Sequence, residues 1–146
     1  MRIDILTLFP EMFSGLESSI IKRAMEKELV EINYSLDKNK RVDDYSYGGG
    51  AGMIIGLQPI LDCLRSIEGY EVAHKVLATP LGNVYKQKKA IEFSKVNHLI
   101  LVCGHYEGID FRITDYLDEE ISVGDYILTG GEIPAMAIID SVVRLL

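Results

Sequence analysis

Short apolar runs that are typical of strands alternate along this chain with segments that carry apolar residues at helical spacing. Strands are predicted at 3–8, 31–36, 75–78 and 98–103. Helices are predicted at 17–29, 58–67, 86–93, 113–117 and 133–146. A helix between two strands carries the chain back to the edge where the first strand began, so the strands can pair in parallel. The alternation therefore predicts an α/β domain with a mostly parallel sheet flanked by helices.

The chain is long enough for one domain with a well-filled core, since 48% of its 146 residues are hydrophobic. Its apolar stretches are too short to span a bilayer, and its first residues enter a strand without the layout of a signal peptide. We therefore expect a cytoplasmic protein that does not associate with membranes.

The cysteines and histidines do not form a recognisable metal site. Cys63 and Cys103 lie in helix-like and strand-like segments without metal-ligand spacing, which favours buried, reduced thiols. His74, His98 and His105 also have no partner at such spacing, and no serine sits in a nucleophile elbow. We expect no metal.

The formal net charge of −7 argues against indiscriminate binding of nucleic acid, because phosphate contacts need local positive charge. Two local basic clusters stand out: Lys38, Lys40 and Arg41, and Lys86, Lys88 and Lys89. Each cluster is typical of a solvated surface, and contact with phosphate is the open alternative for both.

Two glycine-rich segments, 103–110 and 123–132, each follow or contain an apolar run. They place backbone without side chains at the end of the predicted sheet, where small ligands bind in α/β proteins. A third glycine-rich stretch, 48–52, is not a phosphate-binding P-loop, because no Gly-Lys-Ser/Thr follows it. The segment around it, 37–56, is predicted to be a functional or mobile loop without helix or strand.

The last predicted helix, 133–146, is apolar on more than one face. Such a helix is typical of a deep core or of a subunit interface. The sequence stops inside this helical pattern, with no glycine, proline or polar tail after Leu146. We therefore expect the chain to be a segment of a longer protein.

Five stretches of the chain match, in order, the motifs of one family. They are DILTLFPEMF at 4–13, VDDYSYGGGAGM at 42–53, TPLG at 79–82, CGHYEGID at 103–110 and SVGDYILTGGEIPAM at 122–136. Together they resemble the bacterial tRNA (guanine-37-N1)-methyltransferases, the TrmD family. The sequence departs from the family pattern at Leu81, where many relatives carry Gln, and at His105, where many carry Arg.

The resemblance implies a SPOUT fold, in which the C-terminal part of the α/β domain is tied into a trefoil knot. It implies that S-adenosylmethionine binds among the knot loops and that an antiparallel homodimer builds the active sites. The implied substrate is tRNA, at guanine-37 in the anticodon region. By this resemblance, residues 1–146 form the S-adenosylmethionine-binding domain, and a C-terminal tRNA-binding domain lies outside them.

The resemblance also assigns site residues. Those that would bind the cofactor are Thr79, Pro80, Leu81, Gly82, Gly104, Tyr106, Glu107, Gly108, Val123, Gly124, Asp125, Tyr126, Ile127, Leu128, Gly130 and Gly131. Among them Tyr106 and Leu128 would supply apolar contacts, and Glu107 would lie near the methionine end. Arg144 would be the catalytic cation at guanine O6, although a surface arginine near a helix end is its alternative reading. The family's general base, an aspartate, would lie after position 146.

Three functions stay open on the sequence, and we expect the first of them. The first is the cofactor-binding domain of a tRNA guanine-N1 methyltransferase, inactive by itself. The second is a non-catalytic module that binds S-adenosylmethionine or dimerises, and the third is a knotted methylase that acts on another RNA.

Overall fold

The structure is a computed structural model that describes residues 1–35, 43–45, 53–104 and 109–146. Its strands are β1 (Arg2–Leu6), β2 (Glu31–Ser35), β3 (Asp43–Tyr45), β4 (Met53–Ile55), β5 (His74–Val84), β6 (His98–Cys103) and β7 (Glu119–Ser122). Its α-helices are α1 (Ser19–Glu26), α2 (Leu57–Ser66), α3 (Gln87–Ser94) and α4 (Glu132–Val143). The segments Pro10–Glu17 and Phe111–Tyr116 are 3-10 helices.

Within the described residues, five strands form the main sheet in the order β2-β1-β6-β5-β7. Each neighbouring pair in this sheet is parallel. The carboxyl ends of the five strands therefore meet at one edge, here called the carboxyl edge. The predicted α/β fold with a mostly parallel sheet flanked by helices is confirmed, while the trefoil knot stays a prediction.

Both faces of the sheet are buried, and the central strand β6 shows this most clearly. Leu99 and Leu101 face one core, which α1, α3, α4 and the first 3-10 helix complete. Ile100 and Val102 face a second core, which α2 and the second 3-10 helix complete. A strand buried on both faces needs apolar side chains at successive positions, which explains its continuous apolar run.

The edge strand β7 has no counterpart in the sequence prediction, because Glu119 and Glu120 interrupt its apolar pattern. Glu119 accepts a 2.8 Å hydrogen bond from Lys89 Nζ and pairs with His74 Nε2. Burial acts to raise the pKa of Glu119, but the hydrogen bonds from Lys89 and His74 outweigh it and lower that pKa. Partners from α3 and β5 thus make an acidic edge strand stable.

Other boundaries also differ from those predicted. The helix predicted at 113–117 is the 3-10 helix Phe111–Tyr116, and the helix predicted at 17–29 is shorter and follows a separate 3-10 helix. The strand predicted at 75–78 continues as β5 to Val84. The differences at 17–29 and 75–78 are shifts of element boundaries, which local sequence defines least well.

The prediction that 37–56 contains no regular structure is wrong at two places. Strands β3 and β4 lie within it and pair in antiparallel register, with Asp44 opposite Ile54. A glycine-rich segment in the sequence therefore does not exclude strand pairing on either side of it. The rest of this segment, including the basic cluster Lys38, Lys40 and Arg41, lies outside the described residues.

The apolar faces of α4 are largely explained by the protein's own core. Its buried residues are Glu132, Pro134, Ala135, Ile138, Ile139, Val142 and Val143. The composition of this helix therefore does not by itself indicate a subunit interface. None of the helices in the described part of the chain has the length and apolar character needed to cross a membrane.

Candidate functional site

A cavity of about 270 Å³ opens at the carboxyl edge, beside the ends of β5, β6 and β7 and the start of α4. Its lining is mostly apolar, with a few hydroxyl groups and several glycines. The lining residues are Ala78, Thr79, Pro80, Leu81, Gly104, Ile109, Phe111, Ile121, Ser122, Val123, Gly124, Tyr126, Ile127, Leu128, Gly130, Gly131 and Pro134. Such a lining suits a ligand with a large flat or apolar part.

One wall comes from an irregularity in β5. Ile121 of β7 pairs with both Ala78 and Asn83, so the residues between them leave the ladder and bulge toward the cavity. Gly82 closes this bulge against β7. A Cβ on Gly82 would lie 2.5 Å from the backbone nitrogen of Ile121, so only glycine allows the two backbones this close.

The opposite wall is the start of α4, which is pressed against the end of β6. The Gly131 backbone N–H donates a 2.7 Å hydrogen bond to the carbonyl oxygen of Gly104. A Cβ on Gly131 would lie 2.9 Å from the Cα of Cys103. The glycine here permits a close approach between two parts of the protein, in addition to any approach by a ligand.

The polar groups of the lining are held locally. Ser122 Oγ donates a 2.9 Å hydrogen bond to the Gly124 carbonyl, and Thr79 Oγ1 accepts one of 3.3 Å from the Leu81 backbone N–H. At the rim, Leu81 and Ile127 are 76% and 77% exposed. The cavity thus combines polar groups that are held in place by local hydrogen bonds with exposed apolar side chains that can cover a ligand.

The structure places most of the sequence-predicted cofactor residues around this one cavity. Those in the lining are Thr79, Pro80, Leu81, Gly104, Val123, Gly124, Tyr126, Ile127, Leu128, Gly130 and Gly131. Gly82 faces β7 instead, and Asp125 is exposed to solvent. Tyr106, Glu107 and Gly108 lie outside the described residues.

Six lining residues were not singled out by sequence reasoning. They are Ala78, Ile109, Phe111, Ile121, Ser122 and Pro134. Ile109, Ser122 and Pro134 fall inside the quoted motifs, so position in a motif could have identified them. Ala78 and Ile121 look like ordinary strand residues, and only the register of β5 against β7 brings them to the cavity.

Arg144 lies apart from the cavity. It is exposed and follows the last residue of α4, whose first turn lines the cavity. At 1.5 Å per residue, the 12 residues of α4 separate the two ends by roughly 18 Å. Arg144 therefore does not reach the cavity of its own chain.

Two other sets of basic side chains differ in whether their members form ion pairs. Arg112, beside the cavity, donates from Nε and Nη2 to the Asp110 carboxylate, and these hydrogen bonds lower the pKa of Asp110. In the second basic cluster, Lys89 pairs with Glu119, while Lys86 and Lys88 are exposed at the start of α3. The exposed pair is available to solvent or to a ligand.

A buried acid and a buried thiol lie behind the cavity wall. Glu132 is 2% exposed and accepts a 2.9 Å hydrogen bond from Thr7 Oγ1. Burial, and after it the negative charge of Glu132, raise the pKa of the Cys103 thiol well above its ordinary value. Cys103 is thus a structural rather than a reactive cysteine.

In a Cys63→Ser variant, Cys103 is expected to react with a thiol reagent roughly 100-fold more slowly in the native protein than in urea. Burial excludes the reagent, and the raised pKa keeps the thiol protonated. Absorbance after addition of an aromatic disulfide reagent measures both rates. Equal native and unfolded rates would contradict this placement of Cys103.

Comparisons with known proteins agree with the sequence motifs. The family model of the tRNA (guanine-1)-methyltransferase TrmD matches residues 1–146. A tRNA (guanine-N(1)-)-methyltransferase from Geobacillus kaustophilus is 57% identical over 155 residues, which cover 100% of this chain and 64% of that protein. One from Clostridium botulinum is 50% identical over 151 residues, which cover 99% of this chain and 63% of that protein.

A solved structure gives the same result for the fold. The crystal structure of tRNA (m1G37) methyltransferase from Aquifex aeolicus superposes with a TM-score of 0.87 at 38% identity, covering 100% of this chain and 70% of that one. The chain spans just under two thirds of the length of the two curated relatives above. Since a family model matches its whole length, the chain belongs to the tRNA (guanine-1)-methyltransferase TrmD family.

Proposed function

We propose that this chain is the S-adenosylmethionine-binding domain of an enzyme that methylates N1 of guanine-37 in tRNA. The observation that carries the proposal is the cavity at the carboxyl edge, because three separate segments that the family resemblance assigns to the cofactor line it together. The names of the curated relatives and of the Aquifex aeolicus structure support the reaction and the substrate.

The cavity is suited to the nucleoside part of S-adenosylmethionine. Apolar side chains such as Leu128 and Pro134 can pack on the faces of adenine, while backbone groups at the glycines can hydrogen-bond to its edge. Its volume of about 270 Å³ is near the lower end for ligand pockets. Residues 106–108, which the resemblance also assigns to the cofactor, lie outside the described residues.

The reaction requires removal of the proton from guanine N1 and stabilisation of the negative charge on O6. N1 carries a proton and becomes nucleophilic when a base removes it, which places negative charge on O6. When bound, S-adenosylmethionine would supply the methyl group to N1, and the electrons of the broken C–S bond would pass to its sulfur, so that the product S-adenosylhomocysteine would be neutral. A cation at O6 stabilises the charge that develops there.

We assign the cation at O6 to Arg144 of a second copy of the chain. Arg144 stands at the far end of α4 from its own cavity, so a single subunit does not complete the site. A homodimer in which each subunit's Arg144 serves the other's cavity satisfies both the geometry and the family resemblance. Exposed apolar side chains at the rim, Phe111, Tyr126 and Ile127, are compatible with cover by a partner.

By the resemblance, the general base and the C-terminal tRNA-binding domain both lie after position 146. We therefore expect the 146-residue polypeptide to bind S-adenosylmethionine in the cytoplasm but to transfer methyl groups negligibly, because proton removal and placement of the base each contribute orders of magnitude to rate. The net charge of −7 also opposes association with a polyanion.

Calorimetry and a radiolabelled methyl-transfer assay test the proposal together. The polypeptide should bind S-adenosylmethionine, and the full-length gene product should methylate a tRNA that carries guanine at position 37 but not one that carries adenine there. Binding without transfer by the full-length product would favour a non-catalytic module. Transfer that is independent of position 37 would favour a methylase for another RNA site.

A further inference from the structure

Glu132 is a buried acid whose charge has no role in the function proposed so far. It lies in the first turn of α4, directly after the cavity-lining Gly131, and is 2% exposed. Thr7 Oγ1 accepts a 3.0 Å hydrogen bond from the Phe9 backbone N–H, so its own proton is directed to the Glu132 carboxylate at 2.9 Å. This arrangement holds Glu132 as a hydrogen-bond acceptor.

The second carboxylate oxygen faces the cavity wall. A Cβ on Gly130 would lie 2.5 Å from Glu132 Oε2 and 3.0 Å from the carbonyl oxygen of Gly104. Gly130 and Gly104 both line the cavity. Among the described residues, Glu132 Oε2 therefore lies next to glycine backbone that lines the cavity.

The charge of Glu132 is not cancelled by a cation in the part of the chain that the structure describes, where it forms no ion pair. The N-terminus of α4 offsets part of the charge through its backbone dipoles. Water screens it little, because the side chain is buried. A buried, unpaired charge of this kind acts over several ångström on any charge that enters the cavity.

We propose that Glu132 is a specificity-determining residue that makes the cavity favour cationic S-adenosylmethionine over neutral S-adenosylhomocysteine. The two ligands share adenine, ribose and the amino-acid end, and they differ by one methyl group and the positive charge on sulfur. The negative potential of Glu132, which acts from behind Gly130 and Gly104, stabilises the sulfonium. This stabilisation is lost once the methyl group has left. The same residue thus strengthens substrate binding and eases product release.

This inference rests on the proposed function, since it presumes that the cavity takes S-adenosylmethionine. A purely structural role for Glu132 makes a different prediction. The Thr7–Glu132 hydrogen bond also ties the end of β1 to the start of α4, and its loss would loosen the cavity for both ligands equally. The ratio of the S-adenosylmethionine affinity to the S-adenosylhomocysteine affinity therefore distinguishes an effect of the Glu132 charge from an effect of packing.

The test measures dissociation constants of S-adenosylmethionine and S-adenosylhomocysteine by calorimetry for the wild type, Glu132→Gln and Glu132→Met. Gln keeps the shape without the charge, and Met avoids burying an unmatched amide if the Gln variant does not fold. We expect the preference for S-adenosylmethionine to fall roughly tenfold in a neutral variant, as removal of one nearby charge in a protein-like dielectric gives. Thr7→Val, which keeps the charge and removes the hydrogen bond, should weaken both ligands by the same factor.

Glu132→Asp is the conservative control, and it should retain the wild-type preference even if both affinities drop. An unchanged affinity ratio in a folded neutral variant would overturn the inference and leave the proposed function intact. Failure of the wild type to bind either ligand would instead overturn the proposed function.

Discussion

Replacement of Gly131 by valine is expected to remove measurable S-adenosylmethionine binding, with an affinity loss of more than about 100-fold. The new Cβ would stand 2.9 Å from the Cys103 Cα and 3.2 Å from the Gly104 nitrogen, where no flexible side chain can yield. The start of α4 must then move away from β6, which breaks the 2.7 Å hydrogen bond between Gly131 and Gly104 and opens the cavity wall.

Calorimetry measures the affinity, and urea unfolding measures the stability, which we expect to fall by roughly 2–3 kcal/mol. Gly15→Val is the matched control, because a Cβ at Gly15 has no heavy atom within 4 Å. The control should retain binding. Normal affinity in a folded Gly131→Val protein would show that the cavity wall does not depend on this contact.

Substitution of Arg144 by alanine in the full-length gene product should lower kcat by roughly 100- to 1,000-fold, the effect of removing one donor from a developing oxyanion. The KM for S-adenosylmethionine should not change, because Arg144 is assigned to guanine O6 and not to the cofactor. Arg23→Ala is the matched control, since Arg23 is also an exposed arginine near a helix end, and it should leave kcat unchanged.

Mixed dimers test whether Arg144 acts across the subunit interface. Leu128→Lys should disable the cavity by placing a cation in its apolar lining, while it leaves Arg144 intact. When the Arg144→Ala and Leu128→Lys proteins are unfolded together and refolded, half of the dimers are mixed and each has one complete site, so about a quarter of wild-type activity should return. No recovery would place Arg144 in the site of its own subunit.

The parts of the fold that could be predicted are those whose cause is local. The apolar run from Leu99 to Cys103 predicts a strand because both faces of β6 are buried. Helices α2 and α3 begin within one residue of their predicted starts. Most residues of the candidate site were predicted through the family resemblance, while the pattern of strands by itself predicted that the two glycine-rich segments lie at the end of the sheet.

The parts that could not be predicted depend on partners far away in the chain. β7 is acidic, and it pairs in the sheet because Lys89 and His74 meet Glu119 there. The predicted reason for the glycines, access for a ligand, is incomplete at Gly82 and Gly131, where the protein's own backbone makes the close approach.

Sequence alone establishes the α/β class, the family and the three segments that line the cavity, because periodicity and motifs are properties of neighbouring residues. Tertiary structure alone shows that Glu132 lies buried against Gly130, 125 positions from its partner Thr7, and that Arg144 lies at the opposite end of α4 from its own cavity. Those placements follow from strand order and from the direction of α4. Hydrophobic pattern and motif spacing carry no information about either, since the same local pattern fits many strand orders.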